Sequence, residues 1–92
     1  AQKARQKRPQ DANIADTLGW VYVKNNLNED AIRIYSDIVK QEPRNASFRY
    51  HYGVALMQKG DKNRAKQELE VARQNNPPRG EAERIKDLLA RN

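Results

Sequence analysis

The fold is decided by two stretches, LGWVYVKNNLNEDAIRIYSDIVKQEP at residues 18–43 and YGVALMQKGDKNRAKQELEVARQNNP at residues 52–77. Both have a glycine near the start, an alanine 12 residues after that glycine, and a proline at the end. The prolines at positions 9, 43 and 77 stand 34 residues apart, which is the spacing of stacked helical hairpins. Such units are too small to bury an apolar face alone, so each must pack against its neighbour. The pattern therefore predicts an all-α fold.

The first repeat predicts two helices within residues 12–45. We expect Asp11 to cap a helix over residues 12–24. The apolar side chains of its inner face recur at three- and four-residue spacing, and they are Ile14, Ala15, Leu18, Val21 and Tyr22. Asparagines then interrupt the pattern, and Pro43 ends the second helix. The inner face of that helix carries Ala31, Ile34, Tyr35, Ile38 and Val39.

The second repeat predicts the same plan within residues 46–79, followed by one more helix. We expect Asn45 to cap the third helix, and Gly60 and Asp61 to end it and cap the fourth. The buried positions of these two helices are expected to be Phe48, Tyr52, Ala55, Leu56, Ala65, Leu69 and Ala72. Residues 80–92 predict an amphipathic helix that covers the open face of the last hairpin.

The positions on which the two stretches agree resemble the tetratricopeptide repeat family over residues 12–79. They are Leu18, Gly19, Tyr22, Ala31, Tyr35, Ile38 and Pro43 in the first repeat, and Tyr52, Gly53, Leu56, Ala65, Leu69, Ala72 and Pro77 in the second. The resemblance implies an α-α superhelix of two stacked hairpins with a C-terminal capping helix. Ala15 and Arg49 occupy positions where the family often has a large aromatic residue. Arg73 occupies a position where the family usually has an apolar residue. These departures predict weaker packing at all three positions.

Extending the register backward predicts that residues 1–11 are the remnant of a preceding repeat's second helix. Pro9 falls on the repeat-ending proline, and Ala1 and Ala4 fall on the positions of Tyr35 and Ile38. We therefore expect the chain to be the C-terminal part of a longer array. Its first helix would then have a partly uncovered apolar face, which favours self-association.

Composition narrows the functional classes for this chain of 92 residues. It has no cysteine, which excludes disulfides and thiolate chemistry but suits the cytoplasm as well as a bacterial envelope or periplasm. No run approaches the length of a membrane span. Residues 16–22 also resemble the last repeats of bacterial arrays that organise envelope and exopolysaccharide machinery.

The net charge of +6 is concentrated at the start of the chain. Four of the positive charges are Lys3, Arg5, Lys7 and Arg8. Four charges without an aromatic partner specify little. The sequence therefore disfavours nucleic acid as a partner, although contact through this arm stays open as an alternative.

Catalysis has no support in the sequence. The single histidine, His51, lies between two tyrosines on a predicted helix, without a nucleophile or ligand at helical spacing. Paired acids such as Glu68 and Glu70 stand two residues apart, so they point to different faces of a helix. No glycine-rich phosphate loop is present. We predict no enzyme activity, no metal and no cofactor.

The family resemblance implies a concave groove, lined by the first helix of each hairpin, that binds a protein or peptide segment. The groove positions carried over to this chain are Asn13, Asp16, Trp20, Val23, Lys24, Ser47, Tyr50, Val54, Met57, Arg84 and Leu88. Trp20 and Tyr50 are the expected anchors, because aromatic residues often dominate binding energy. Packing between hairpins is the alternative role for both. A structural end cap without a ligand is the alternative for the whole chain.

The family's best-known ligand mode is a carboxylate clamp of lysines and asparagines. The corresponding positions here are Asp16, Trp20, Val54, Glu81 and Ile85. An acidic pair would repel a free carboxylate. We therefore expect an apolar segment with some basic character.

Overall fold

In the computed structural model, residues 9–91 are described, and they form five α-helices joined by short turns. The helices are α1 Pro9–Lys24, α2 Asn28–Gln41, α3 Ala46–Lys59, α4 Lys62–Gln74 and α5 Arg79–Arg91. Helices α1 and α2 pack as one hairpin, α3 and α4 as the next, and α5 packs on α4 and α3. The predicted all-α fold is confirmed. None of these helices has both the length and the apolar character needed to cross a membrane.

The start of α1 differs from the prediction. The helix already includes residues 9–11, so Asp11 lies inside it and not at the cap position. Most of the predicted helix remnant, and all four cations of the basic arm, lie outside the described residues.

The ends of α3 and α4 form as their sequence predicts. The side chain of Asn45 accepts a hydrogen bond of 3.0 Å from the Phe48 amide, and Asp61 caps α4 by accepting from the Arg64 amide. Gly60 ends α3 in the left-handed region, with φ of 100°, where glycine has no steric cost. Gly60 and Asp61 together fix the turn between α3 and α4.

Each hairpin closes over a glycine. A Cβ atom at Gly19 would lie 2.8 Å from the Tyr35 ring, and one at Gly53 would lie 2.8 Å from the Leu69 side chain. The two buried side chains fill the space left by the missing Cβ atoms. The helices of a hairpin therefore approach closely, as the repeated glycine predicts.

The apolar face of α1 is placed differently from the prediction. Ile14, Leu18 and Val21 are 68%, 45% and 49% exposed, whereas Ala12 and Val23 are buried. The contacts of α1 are with α2 and α3, so the helix buries only the side that faces them. Ile14, Leu18 and Val21 form, with the exposed Leu27, an apolar surface that we call the exposed strip.

Arg49, which departs from the family pattern, makes polar contacts where that pattern often has a large aromatic residue. Its guanidinium donates to Glu68 at 2.7 Å and to the Pro43 carbonyl at 3.0 Å. The Arg49 and Glu68 side chains are only 19% and 11% exposed. A largely buried ion pair between α3 and α4 thus replaces aromatic packing. Arg73 is exposed and pairs with Glu70 on its own helix.

Candidate functional site

Helices α1, α3 and α5 enclose a concave surface that we call the groove. Its deeper part is a cavity of about 290 Å³ lined by Trp20, Val23, Lys24, Tyr50, Val54, Gln58, Arg84, Asp87, Leu88 and Arg91. A more open cavity adjoins it, lined by Trp20, Lys24, Tyr50, Pro78, Gly80, Glu81 and Arg84. Four residues line both cavities, so the two form one continuous depression.

Helical periodicity supplies the lining residues. On α3, Tyr50, Val54 and Gln58 stand four residues apart and therefore share one face. On α5 the lining positions recur at intervals of three and four from Arg84 to Arg91. Val54 and Leu88 are half-buried and give the groove an apolar floor.

Trp20 connects the groove to the packing between hairpins. Its ring stacks on His51, with 4.0 Å between ring centroids, and it lies 6.1 Å from the Tyr50 ring. The indole is half-buried and lines both cavities. The two roles that the sequence leaves open for Trp20, packing on a neighbouring hairpin and lining a groove, therefore coexist in one side chain.

The electrostatic character of the groove is positive. The Lys24 ammonium lies 5.8 Å from the centroid of the Trp20 ring, within the range of a cation–π interaction. The two carboxylates of the groove are already engaged. Asp87 accepts from Arg91 at 3.2 Å, and Glu81 accepts from the Ser47 hydroxyl at 2.7 Å.

The Tyr50 side chain is buried, with 6% of its surface exposed, and it lines both cavities. Burial raises the pKa of Tyr50, the nearby Arg84 guanidinium lowers it in part, and Glu81 raises it. The net pKa lies above the usual value of a tyrosine. At neutral pH the hydroxyl therefore carries its proton.

Seven of the eleven groove positions carried over from the family line the groove. They are Trp20, Val23, Lys24, Tyr50, Val54, Arg84 and Leu88. The other four, Asn13, Asp16, Ser47 and Met57, line neither cavity. Ser47 instead bonds Glu81, and Met57 packs against the core.

Asp16 serves the contact between hairpins and not the groove. Its carboxylate accepts a hydrogen bond of 2.7 Å from the Tyr35 hydroxyl and lies 2.8 Å from Nδ1 of His51. Burial, followed by this contact with Asp16, raises the pKa of Tyr35. The network joins α1, α2 and α3, and it gives His51 the structural role that the sequence predicts.

The structure changes the basis for expecting a basic ligand. That expectation depends on Asp16 and Glu81 as an acidic pair in the groove. Asp16 is bound by Tyr35 and His51 and lines neither cavity, whereas Glu81 lines the more open cavity and accepts from Ser47. Ile85 is fully buried. The prediction of a basic segment therefore depends on Glu81 alone.

The sequence interpretation misses several lining residues. Gln58 continues the four-residue spacing of Tyr50 and Val54, while Asp87 and Arg91 follow Arg84 and Leu88 by three residues each. Helical spacing alone would find all three once the groove-facing side of each helix is known. Pro78 and Gly80 lie at the start of α5, where no periodic pattern marks them.

The groove offers non-covalent contacts: an apolar floor, two aromatic rings and cationic rims. Among the described residues, no cluster of three acidic or histidine side chains could hold a metal ion.

Comparison with protein-family models gives a match to the tetratricopeptide repeat over residues 17–79, which is more than half of the chain. Comparisons with curated proteins and with solved structures gave no match.

Proposed function

Because the chain belongs to the tetratricopeptide repeat family, whose members generally mediate protein–protein interaction, we propose that it is a non-enzymatic scaffold whose groove binds a segment of a partner protein. The observation that carries the proposal is the placement of Trp20 and Tyr50 above the apolar floor of the groove. Tryptophan and tyrosine are frequent anchors of interfaces, because they bury large areas at small entropic cost.

The open shape of the groove, and not its size, favours a peptide segment over a small-molecule cofactor. Cofactor and drug-sized sites enclose roughly 300–1,000 Å³ and cover most of the ligand. The two cavities here hold about 290 and 570 Å³, and the larger one is the more open. Such a depression accommodates one or two side chains of a segment that is laid across it.

A peptide array tests the proposal. We would probe random-sequence peptides with the wild-type chain, with Gln58→Trp and with Gln67→Trp. Gln58 is exposed at the groove, so its indole would obstruct the cavity without entering the core, whereas Gln67 is exposed on α4 away from the groove. We expect Gln58→Trp to reduce peptide capture at least tenfold and Gln67→Trp to retain it.

Two results would overturn groove binding. One is an array from which the wild-type chain captures no peptide. The other is equal capture by the two tryptophan variants, which would place the peptide site elsewhere. Circular dichroism of each variant serves as the control for folding.

The exposed strip supports a second proposed role, that of an end module in a longer helical array. Its three side chains on α1, Ile14, Leu18 and Val21, recur at four- and three-residue spacing, as on a helix that packs against another helix. We propose that a preceding hairpin covers this strip in such an array. The strip lies on residues that do not line the groove, so the two roles are compatible.

A further inference from the structure

Two cations of the groove have no acidic partner among residues 9–91. Lys24 and Arg84 make no ion pair with any described residue, whereas Arg91, on the same rim, is paired with Asp87. Lys24 lies at the end of α1 and Arg84 on α5, so two separate elements bring them to one depression. Both residues are exposed, and a ligand can reach them.

Lys24 and Arg84 lie at the junction of the two cavities. Each lines the deeper cavity and the more open one, together with Trp20 and Tyr50. The depression continues past them in both directions, towards Gln58 on one side and towards Pro78 on the other. A segment that fills the whole depression would therefore place an internal residue beside the two cations. Its terminal residues would lie towards Gln58 or towards Pro78.

The surroundings of the two cations favour a carboxylate. Of the two acids that line the groove, Asp87 is paired with Arg91, whereas Glu81 accepts from the neutral Ser47 hydroxyl and keeps its charge. The three cations Lys24, Arg84 and Arg91 still outnumber these two carboxylates. A carboxylate accepts charge-assisted hydrogen bonds from a lysine ammonium and from an arginine guanidinium.

We propose that the groove selects an acidic protein segment, in which an internal Asp or Glu side chain binds between Lys24 and Arg84 while a neighbouring apolar side chain rests on Val54 and Leu88. This inference rests on the proposed function, because it names the chemistry of the segment that the groove binds. Cations on both sides favour an acidic segment and repel a basic one, so they provide specificity as well as attraction.

An array of random-sequence peptides with acetylated and amidated ends tests the inference. Blocked ends leave only side-chain charges, so the array separates internal acids from terminal carboxylates. Among peptides that the wild-type chain captures and Gln58→Trp does not, we expect enrichment of Asp and Glu next to an apolar residue. Replacing those acids by Asn or Gln should weaken binding roughly tenfold.

Charge reversal supplies the matched control. Arg84→Glu and Lys24→Glu should each weaken binding of the captured acidic peptides by roughly tenfold, since attraction becomes repulsion. Lys86→Glu makes the same kind of change on α5 at an exposed position outside the groove, and it should leave affinity nearly unchanged. Binding should also weaken as salt is raised.

The remaining outcomes would overturn part or all of the proposal. Groove-dependent capture of basic or neutral peptides would overturn the acidic preference and leave the proposed function standing. Capture of no peptide would overturn both. Binding that requires a free C-terminus would overturn the assignment to an internal acid. Tighter binding of single-stranded oligothymidylate, lost in Arg84→Glu, would identify the groove as a nucleic-acid site and overturn the proposal.

Discussion

At the scale of single residues, the hairpins depend on the absence of a side chain at two positions. We predict that Gly53→Ala lowers the free energy of unfolding by about 1–3 kcal/mol, because the added Cβ would overlap the fully buried Leu69. The control is Gly80→Ala, where a Cβ would meet no atom within 4 Å. It should stabilise the chain by up to about 1 kcal/mol, since alanine favours the helix. Urea unfolding followed by circular dichroism measures both, and equal effects would contradict the account.

The hydroxyl of Tyr35 predicts how stability depends on alkaline pH. Burial and the contact with Asp16 raise the pKa of Tyr35 in the folded state, while the unfolded value is about 10. Above that pH the unfolded chain releases the proton and the folded chain retains it, so stability falls as pH rises. This contribution is complete below the unfolded pKa.

The substitution Tyr35→Phe isolates that contribution. We expect it to reduce the alkaline loss of stability between pH 9 and 11, and to cost roughly 1 kcal/mol at neutral pH through the lost hydrogen bond to Asp16. Ile34→Val, at a half-buried position without a titratable group, is the control and should leave the alkaline slope unchanged. Urea titrations at each pH measure the slopes. Identical slopes for wild type and Tyr35→Phe would show that Tyr35 does not carry the effect.

At the scale of elements, α5 holds its place through one buried side chain. Ile85 is fully buried and clusters with Tyr50, Leu69 and Ala72, while Leu88 and Leu89 are only half-buried. We predict that Ile85→Ala costs about 2–4 kcal/mol of local stability and speeds amide hydrogen exchange in α5 more than in α2. The exposed neighbour Lys86→Ala is the control. Unchanged protection of α5 in Ile85→Ala would contradict this account of how the helix is anchored.

The elements that the sequence predicts best are those with local end signals. Asn45, Gly60 and Asp61 define the ends of α3 and α4 through groups within a few residues of themselves. The cap predicted at Asp11 is wrong because residues 9–11 are already helical. An aspartate can cap a helix or lie inside one, and local chemistry alone does not decide between the two positions.

The groove is predictable only in part, because some of its positions depend on distant partners. Trp20, Tyr50 and Arg84 follow from the family pattern and from helical spacing. Asp16 occupies a groove position in the pattern, yet it binds Tyr35 and His51, which lie 19 and 35 residues away. A one-dimensional pattern does not reveal that competition for the carboxylate.

At the scale of the whole molecule, the exposed strip predicts self-association. Four large apolar side chains between 45% and 68% exposed favour contact with a second apolar surface. We expect the wild-type chain to show weak association by analytical ultracentrifugation at high concentration, and Leu18→Lys to reduce it. Gln67→Lys adds the same charge on α4, outside the strip, and should leave association unchanged. A chain that stays monomeric at all concentrations would contradict the prediction.

The central claim, that the groove between α1, α3 and α5 is the binding surface, is tested most directly by nuclear magnetic resonance. Titration of the ¹⁵N-labelled chain with a captured acidic peptide should shift the indole N–H of Trp20 and the amides of Lys24, Val54, Arg84 and Leu88 together. Shifts confined to the exposed strip, or to Lys66 and Glu70 on α4, would contradict the claim.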